Sequence, residues 1–377
     1  MLKQLVGQLC EIADSPQKSI LLSMEKTGKR AVGLVEPYGP EEIVYAAGCL
    51  PVGLWGGQME ATLSRSYLPA FACSIMQSVM ELQLNGVYDQ VLSAAIVPAV
   101  CDTLKCIGQK WKAKCPAIHF VHPQNRKLES SVMFLAEEYR ILTHKLEQIL
   151  QVEITEEALQ ESIQLYNVYR QTMREFTDLL ALHPQRIDPA SRHKILKAGY
   201  FMDKMEYTGL IKKLIDELKE EPVEAWTGKR VVVTGLTLEP EELLEIFGEL
   251  KLAIVADDLA HESRQFRTDV PQGESALVSL ARQWQNHSGC SFAFDPGKGR
   301  IQHILDLLEK YRADGLVIAL MKFCDPEEYD VPIIMEECRK KNIPLIRIEI
   351  DQQESSFEQV RTRLQSFAES IGNLQMV

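Results

Sequence analysis

Three of the nine cysteines in this chain stand where thiol chemistry is expected. Cys73, in PAFACSIMQS, directly precedes a helical pattern, which places its sulfur near a helix N-terminus and favours the thiolate and metal ligation. Cys101, in VPAVCDTLK, and Cys324, in MKFCDPEE, each end an apolar run and are each followed by aspartate. Thiolates suit iron clusters, and three of them converging on a cleft between domains would leave one iron open to another ligand. For each cysteine taken singly, burial as a small hydrophobe is the alternative. Cys106 stands as a candidate fourth ligand, although helix after Cys101 would carry it more than one turn away. Cys10, Cys49, Cys115, Cys290 and Cys338 are assigned to packing. An odd number of cysteines and the absence of C-x-x-C argue against a disulfide framework, a thioredoxin-type pair and structural zinc.

Such thiols need elements that bring them together. Apolar runs suited to buried parallel strands recur as AVGLVEPY (31–38), VGLWGG (52–57), LSAAIVPAV (92–100) and AIHFVHP (117–123). Residues 126–220 change to long amphipathic helical patterns such as ALQESIQLYNVYRQTMREFTDLLAL. Strand patterns resume with KRVVVTG (229–235), KLAIVADD (251–258), CSFAFDP (290–296), DGLVIALMKFC (314–324) and IPLIRIEID (343–351). The pattern predicts an α/β protein: an N-terminal α/β domain over 1–150, a helical connecting region over 151–227 and a C-terminal α/β domain over 228–377. Open α/β sheets bind ligands beyond the carboxyl ends of their strands, and there Cys101-Asp102 and Cys324-Asp325 fall, one pair per domain.

Composition and motifs exclude several functions. A net charge of -12 argues against nucleic acid or an anionic membrane as the main partner. No apolar run approaches the roughly 20 residues that span a bilayer, and MLKQLVGQLCEIADS reads as an amphipathic helix rather than a signal peptide, so a cytoplasmic location is expected. There is no P-loop, no G-x-G-x-x-G after a strand, no G-x-S-x-G and no H-E-x-x-H; HESRQ (261–265) lacks the second histidine. Asp257, Asp258, Glu262, Arg264 and Arg267 either line a cofactor or subunit cleft or form a solvated, salt-bridged helix start. Glu327 and Glu328 either donate protons or cap the helix that follows. Tyr38 and Trp55 either cover a cluster or pack in the core. His122 is expected to hydrogen-bond within its loop.

PEEIVYAAGCLPVGLWGG, PAFACSIMQS, VPAVCDTLK, HPQNRK, VADDLAHESRQFRTDVP, MKFCDPEEYD and EIDQQ together resemble the 2-hydroxyacyl-CoA dehydratases, and in particular their smaller, beta-type subunit. The resemblance runs from about residue 30 to the C-terminal helix. It implies two flavodoxin-like parallel-sheet domains with a [4Fe–4S] cluster in the interdomain cleft, and Cys73, Cys101 and Cys324 as its ligands. It further implies a homologous alpha subunit, at which the CoA-thioester substrate mainly binds, and a separate ATP-dependent iron–sulfur activator. Enzymes of this kind convert (R)-2-hydroxyacyl-CoA to (E)-2-enoyl-CoA in anaerobic amino-acid fermentation and are oxygen-sensitive. Their β proton is not acidic, and one electron placed on the thioester carbonyl gives a ketyl radical that expels the 2-hydroxyl. The resemblance leaves two alternatives: a subunit of a benzoyl-CoA reductase-like enzyme, or a non-catalytic iron–sulfur electron-transfer protein.

Overall fold

The runs rich in Val, Ile, Leu and Ala become strands buried on both faces, as parallel sheets covered by helices require. The computed structural model describes residues 1–374; residues 375–377, inside the expected C-terminal domain of 228–377, lie outside the described residues. Strands β1 (Ala31–Val35), β2 (Leu50–Leu54), β3 (Leu92–Ala99) and β4 (Ala117–Val121) form one parallel sheet in the order β2-β1-β3-β4. Strands β5 (Lys229–Gly235), β6 (Leu252–Leu259), β7 (Gly315–Met321) and β8 (Leu345–Ile350) repeat it as β6-β5-β7-β8. Pairing is parallel throughout, with Leu34 opposite Gly53 and Ile96, and Val233 opposite Asp257 and Val317. The order is that of the first four strands of a doubly wound sheet, whose crossover reverses between its first and third strands and opens a crevice there.

CSFAFDP (290–296) is not a strand. The alternation of its aromatics suits a pleated edge, but its backbone bonds go elsewhere. The Phe294 N–H donates to the Gln124 carbonyl at 3.0 Å, and the Asp295 carboxylate accepts from the N–H groups of Gly297 and Gly299 at 3.2 and 3.0 Å. The segment is a loop tied to the N-terminal half, and the second sheet has four strands instead of the expected five.

The middle of the chain is helical for local reasons. The helix Glu156–Leu180 starts at Thr155, whose hydroxyl accepts from the Ala158 N–H at 3.2 Å, with Glu156 and Glu157 favourably placed in its first turn. Leu159, Ile163, Tyr166, Met173, Phe176 and Leu180 recur every three or four residues and are buried. Tyr166, Met173, Phe176 and Leu180 share a core with Tyr207, Ile211, Leu214 and Leu218 of the helix Lys204–Glu220 and with Leu5, Leu9 and Ala13 of the N-terminal helix Leu2–Asp14, whereas Leu159 and Ile163 join the core of the sheets. Truncating a buried side chain such as Phe176 to alanine costs about 3–5 kcal/mol. Residues of both sheets, including Val35, Ile96, Val233 and Ala319, belong to one further continuous core. Among the described residues no helix is long and apolar enough to cross a membrane.

Candidate cofactor site

The two crevices open onto a single cavity of about 680 Å³. Glu36 and Pro37, just after β1, and Ala99 to Cys101, at the end of β3, contribute from the first sheet. Leu236 after β5, His261 after β6 and Cys324 after β7 contribute from the second. Cys73 enters from the loop before the helix Ser74–Leu84. The three cysteines singled out for their sequence positions therefore line one space, although 251 residues separate Cys73 from Cys324 (324 − 73). Ile75, Met76, Val100, Leu104 and Phe292 give the same walls an apolar character.

Each of the three thiols occupies an N-cap position. Cys73 caps Ser74–Leu84 and Cys101 caps Asp102–Gln109, with the Leu104 N–H pointing at the Cys101 sulfur at 3.5 Å. Cys324 precedes the single turn Asp325–Glu328, whose Glu327 and Glu328 N–H groups donate to its carbonyl at 3.1 and 3.0 Å. Burial raises the Cys73 thiol to about 12, opposed by the backbone amides of Met76 and Ile75. Burial likewise raises Cys101, opposed by the Leu104 and Thr103 amides, and lifts Cys324 well above the usual thiol range. Without a metal these sulfurs are neutral thiols. A bound cation deprotonates a coordinating thiol outright, and the amides aimed at the sulfurs would then stabilise the negative charge. Burial, then the nearby Glu41, pushes the Glu36 carboxyl well above the usual carboxylate range, against the pull of Lys204.

Among the described residues no three His, Cys, Asp or Glu side chains are drawn together tightly enough to share one metal ion. The three thiols line one cavity, and in a cluster each thiolate would bind its own iron. All nine cysteines are free. Cys106 is half-buried on the helix Asp102–Gln109 and does not line the cavity.

Beneath Cys324 lies a network of buried charges, not a solvated helix start. Asp258 accepts from Arg264 Nε at 3.0 Å, Arg267 Nη2 at 2.7 Å, Arg300 Nε at 2.8 Å and the Thr234 hydroxyl at 2.8 Å. Glu327 accepts from Arg264 Nη1 and the Ser291 hydroxyl, both at 2.7 Å, and also from Arg300. Burial opposes ionisation of both carboxyls, but the arginines win and hold Asp258 well below, and Glu327 below, the usual carboxylate range. Glu328 is exposed. Asp257 and Glu262 belong to a second buried group: Arg192 bridges them, and His193 places Nδ1 2.8 Å from Glu262 and Nε2 3.1 Å from Glu239.

The remaining candidates are structural. Tyr38 packs among Trp284, His287 and Phe292 with its hydroxyl 3.1 Å from the Cys290 sulfur, and Trp55 stands edge-on to Tyr200 and His261. Neither lines the cavity. His122 is not the expected loop hydrogen-bonder: it is packed between Phe120 and Trp284, its Nδ1 has no partner, and burial pushes it down to about 3. Cys49, Cys115, Cys290 and Cys338 are buried and Cys10 is half-buried. Glu36 and His261 are the cavity residues that sequence reasoning missed. His261 was on view in VADDLAHESRQ, but only as a failed metalloprotease motif.

Residues 37–371 match the family model described as 2-hydroxyglutaryl-CoA dehydratase, D-component. The chain belongs to that family. The three relatives that follow, at 36% identity or more, are named as dehydratase, that is hydro-lyase, subunits. The chain is 51% identical over 369 residues to the lactoyl-CoA dehydratase subunit beta of Anaerotignum propionicum, covering 97% of this chain and 98% of the relative. It is 41% identical over 364 residues to the (R)-phenyllactyl-CoA dehydratase beta subunit of Clostridium sporogenes, covering 96% and 97%. It is 36% identical over 377 residues to the (R)-2-hydroxyglutaryl-CoA dehydratase subunit beta of Acidaminococcus fermentans, covering 97% and 99%. Membership of the D-component family agrees with the resemblance carried by PAFACSIMQS and MKFCDPEEYD.

Proposed function

We propose that this D-component protein is the beta subunit of an oxygen-sensitive, cytoplasmic (R)-2-hydroxyacyl-CoA dehydratase, holding a [4Fe–4S] cluster through Cys73, Cys101 and Cys324 in the cleft between domains 1–150 and 228–377, which the helical region 151–227 connects. The observation that carries this reading is the cavity on which thiols from the crevices of both sheets meet. When bound, the cluster supplies low-potential one-electron chemistry, which the elimination needs because the substrate's β proton is not acidic.

The residues of this chain have simpler tasks. The three thiolates hold the cofactor, the amides of Ile75, Met76, Thr103 and Leu104 offset its negative charge, and Ile75, Met76 and Phe292 keep water away. The arginine-bound carboxylates beneath Cys324 fix the turn that carries this thiol. Substrate binds mainly at a homologous alpha subunit, and a separate ATP-dependent iron–sulfur activator delivers the electron. Lactoyl-CoA and aryl-lactyl-CoA lead the candidate substrates, given the names of the relatives at 51% and 41% identity.

The ligand test is single replacement of Cys73, Cys101 or Cys324 by alanine in anaerobically purified protein, with iron content and the visible charge-transfer band as readouts. Each variant is expected to lose most of both. Full retention by all three would overturn the ligand assignment. For the reaction, the chain is combined with its alpha partner and activator and offered (R)-lactoyl-CoA and (R)-phenyllactyl-CoA. Loss of water with no net change in redox state supports dehydration. A reduced product would point to the benzoyl-CoA reductase-like alternative, and a cluster signal without turnover to a pure electron-transfer role.

A further inference from the structure

Cys324 reaches the cavity from a tight turn. Its N–H donates to the Met321 carbonyl at 3.1 Å, and Phe323, third of the four residues 321–324, has a φ of 65°. Glycine or asparagine normally takes a turn position with positive φ, because a larger L side chain there crowds the neighbouring backbone. Gln151, Lys251, Lys298, Arg312 and Asn342 also have positive φ, but they are polar and stand at or just beyond helix ends. Tyr38, at φ 73°, is aromatic, and its ring packs among Trp284, His287 and Phe292. Phe323 lacks such cover and is 52% exposed. The chain thus holds a bulky apolar side chain in strained backbone without burying it. Phe323 lines the thiol cavity and also a neighbouring groove of about 460 Å³, and among the described residues it is the one common to both walls. Arg65, Ser74, Gln77, Asp351 and Gln353 make the groove polar, whereas Ile75, Met76, Val100, Leu104 and Phe292 line the cavity. Ala72 and Ser74, on either side of Cys73 in the chain, belong to the groove. Phe323 therefore stands between a space suited to water and a space lined by thiols.

We propose that Phe323 is the wall that keeps water entering by this groove from the [4Fe–4S] cluster, an inference that rests on the three-thiol reading above. Glycine would suit the turn but supplies no ring to close the gap, and the strained backbone is the cost of having one there. Phe323 coordinates nothing; it screens. Solvent exposure helps to set the reduction potential of a cluster. Water that reaches the cluster stabilises the more negative, reduced state, so removing the ring moves the potential in the positive direction and opens the iron to polar reagents.

The test compares wild-type holoenzyme with Phe323→Ala, Phe323→Gly and Phe323→Tyr, all purified anaerobically. The readouts are iron release to the water-soluble chelator bathophenanthroline disulfonate and redox titration of this subunit's cluster. The alanine and glycine variants are expected to release iron several-fold faster and to shift the midpoint potential positive. The tyrosine variant, which keeps the ring, should match wild type. Wild-type release and potential in iron-replete alanine and glycine variants would overturn the proposal. Faster release from the tyrosine variant would overturn it too, by placing the effect in the turn that carries Cys324 and not in the ring. In metal-free protein the glycine variant should have a higher urea midpoint than the alanine variant, because only alanine keeps the strain; at an unstrained position the order is the reverse. Alanine above glycine would remove the strain and overturn the proposal. If neither small variant folds, Phe323→Asn, which tolerates the left-handed backbone, carries the same comparison of release and potential with the tyrosine variant. Iron retained by all three cysteine-to-alanine variants would overturn the cluster reading itself, whatever the Phe323 variants do.

Discussion

On the N-terminal side of the cavity, Cys73 and Cys101 sit among Ile75, Met76, Val100 and Leu104, and Asp102, next to Cys101 in the chain, pairs with Lys105 in solvent at 2.5 Å. On the C-terminal side, Cys324 stands three residues before Glu327, which is locked to Arg264 and Arg300, and through them to Asp258 and Asp330. The two sheets share one strand order and end at one cavity, yet they steady their thiols differently. One half relies on helix N-termini and apolar packing. The other relies on fully buried ions whose desolvation is offset only while every partner is in place. The N-terminal thiols should therefore be replaceable without unfolding the chain, whereas the support under Cys324 should be brittle.

The sharpest way to break this comparison is Arg264→Met. It leaves Asp258 and Glu327 without one of their cations, and breaking a buried pair costs about 3–5 kcal/mol. Metal-free protein unfolded anaerobically in urea measures this. Cys101→Ser under the same conditions should cost no more than about 1 kcal/mol, since a hydroxyl still accepts from the Leu104 N–H. Similar losses in both variants would dissolve the contrast.

Acid offers a second test. Asp258 and Glu327 have folded pKa values depressed below the unfolded value of about 4, so between the two the unfolded chain binds more protons than the folded one. Their stabilisation is fully present above that unfolded value and is lost as pH falls through the folded values. Stability measured from pH 7 downward should fall on the acid side, and Glu327→Gln should flatten the fall. An unchanged acid limb in the Gln variant would place the sensitivity elsewhere. The smallest effect is expected at Glu129, whose exposed carboxylate pairs with Arg282 across the two halves of the chain. Glu129→Gln should leave the urea midpoint unchanged within error, because exposed pairs contribute little.

Much of the architecture was legible in local pattern. KRVVVTG predicts the span that β5 occupies, and the three-to-four-residue recurrence of apolar groups predicts the helix Glu156–Leu180. CSFAFDP misled because alternating side-chain types do not say where backbone N–H groups find acceptors. Phe292 and Phe294 would share one face of a strand, yet Phe292 is buried and Phe294 exposed, and the acceptor for the Phe294 N–H is a loop carbonyl of the other half. The same limit made the charges after β6 look like a solvated helix start. Arg192, His193 and Arg300, which bury them, come from helices distant in the sequence.

The chain's own order of residues determined that it would form two α/β halves joined by helices, and that Cys73, Cys101 and Cys324 would stand at helix starts and strand ends. Burial periodicity and capping are local, so a short window of sequence holds them. Only the tertiary structure decided that these three thiols share a cavity, that Cys106 does not, and that His261 after β6 is among the residues lining it. Those outcomes depend on strand order and on how two sheets pack through a common core, contacts between residues hundreds of positions apart that no local pattern records.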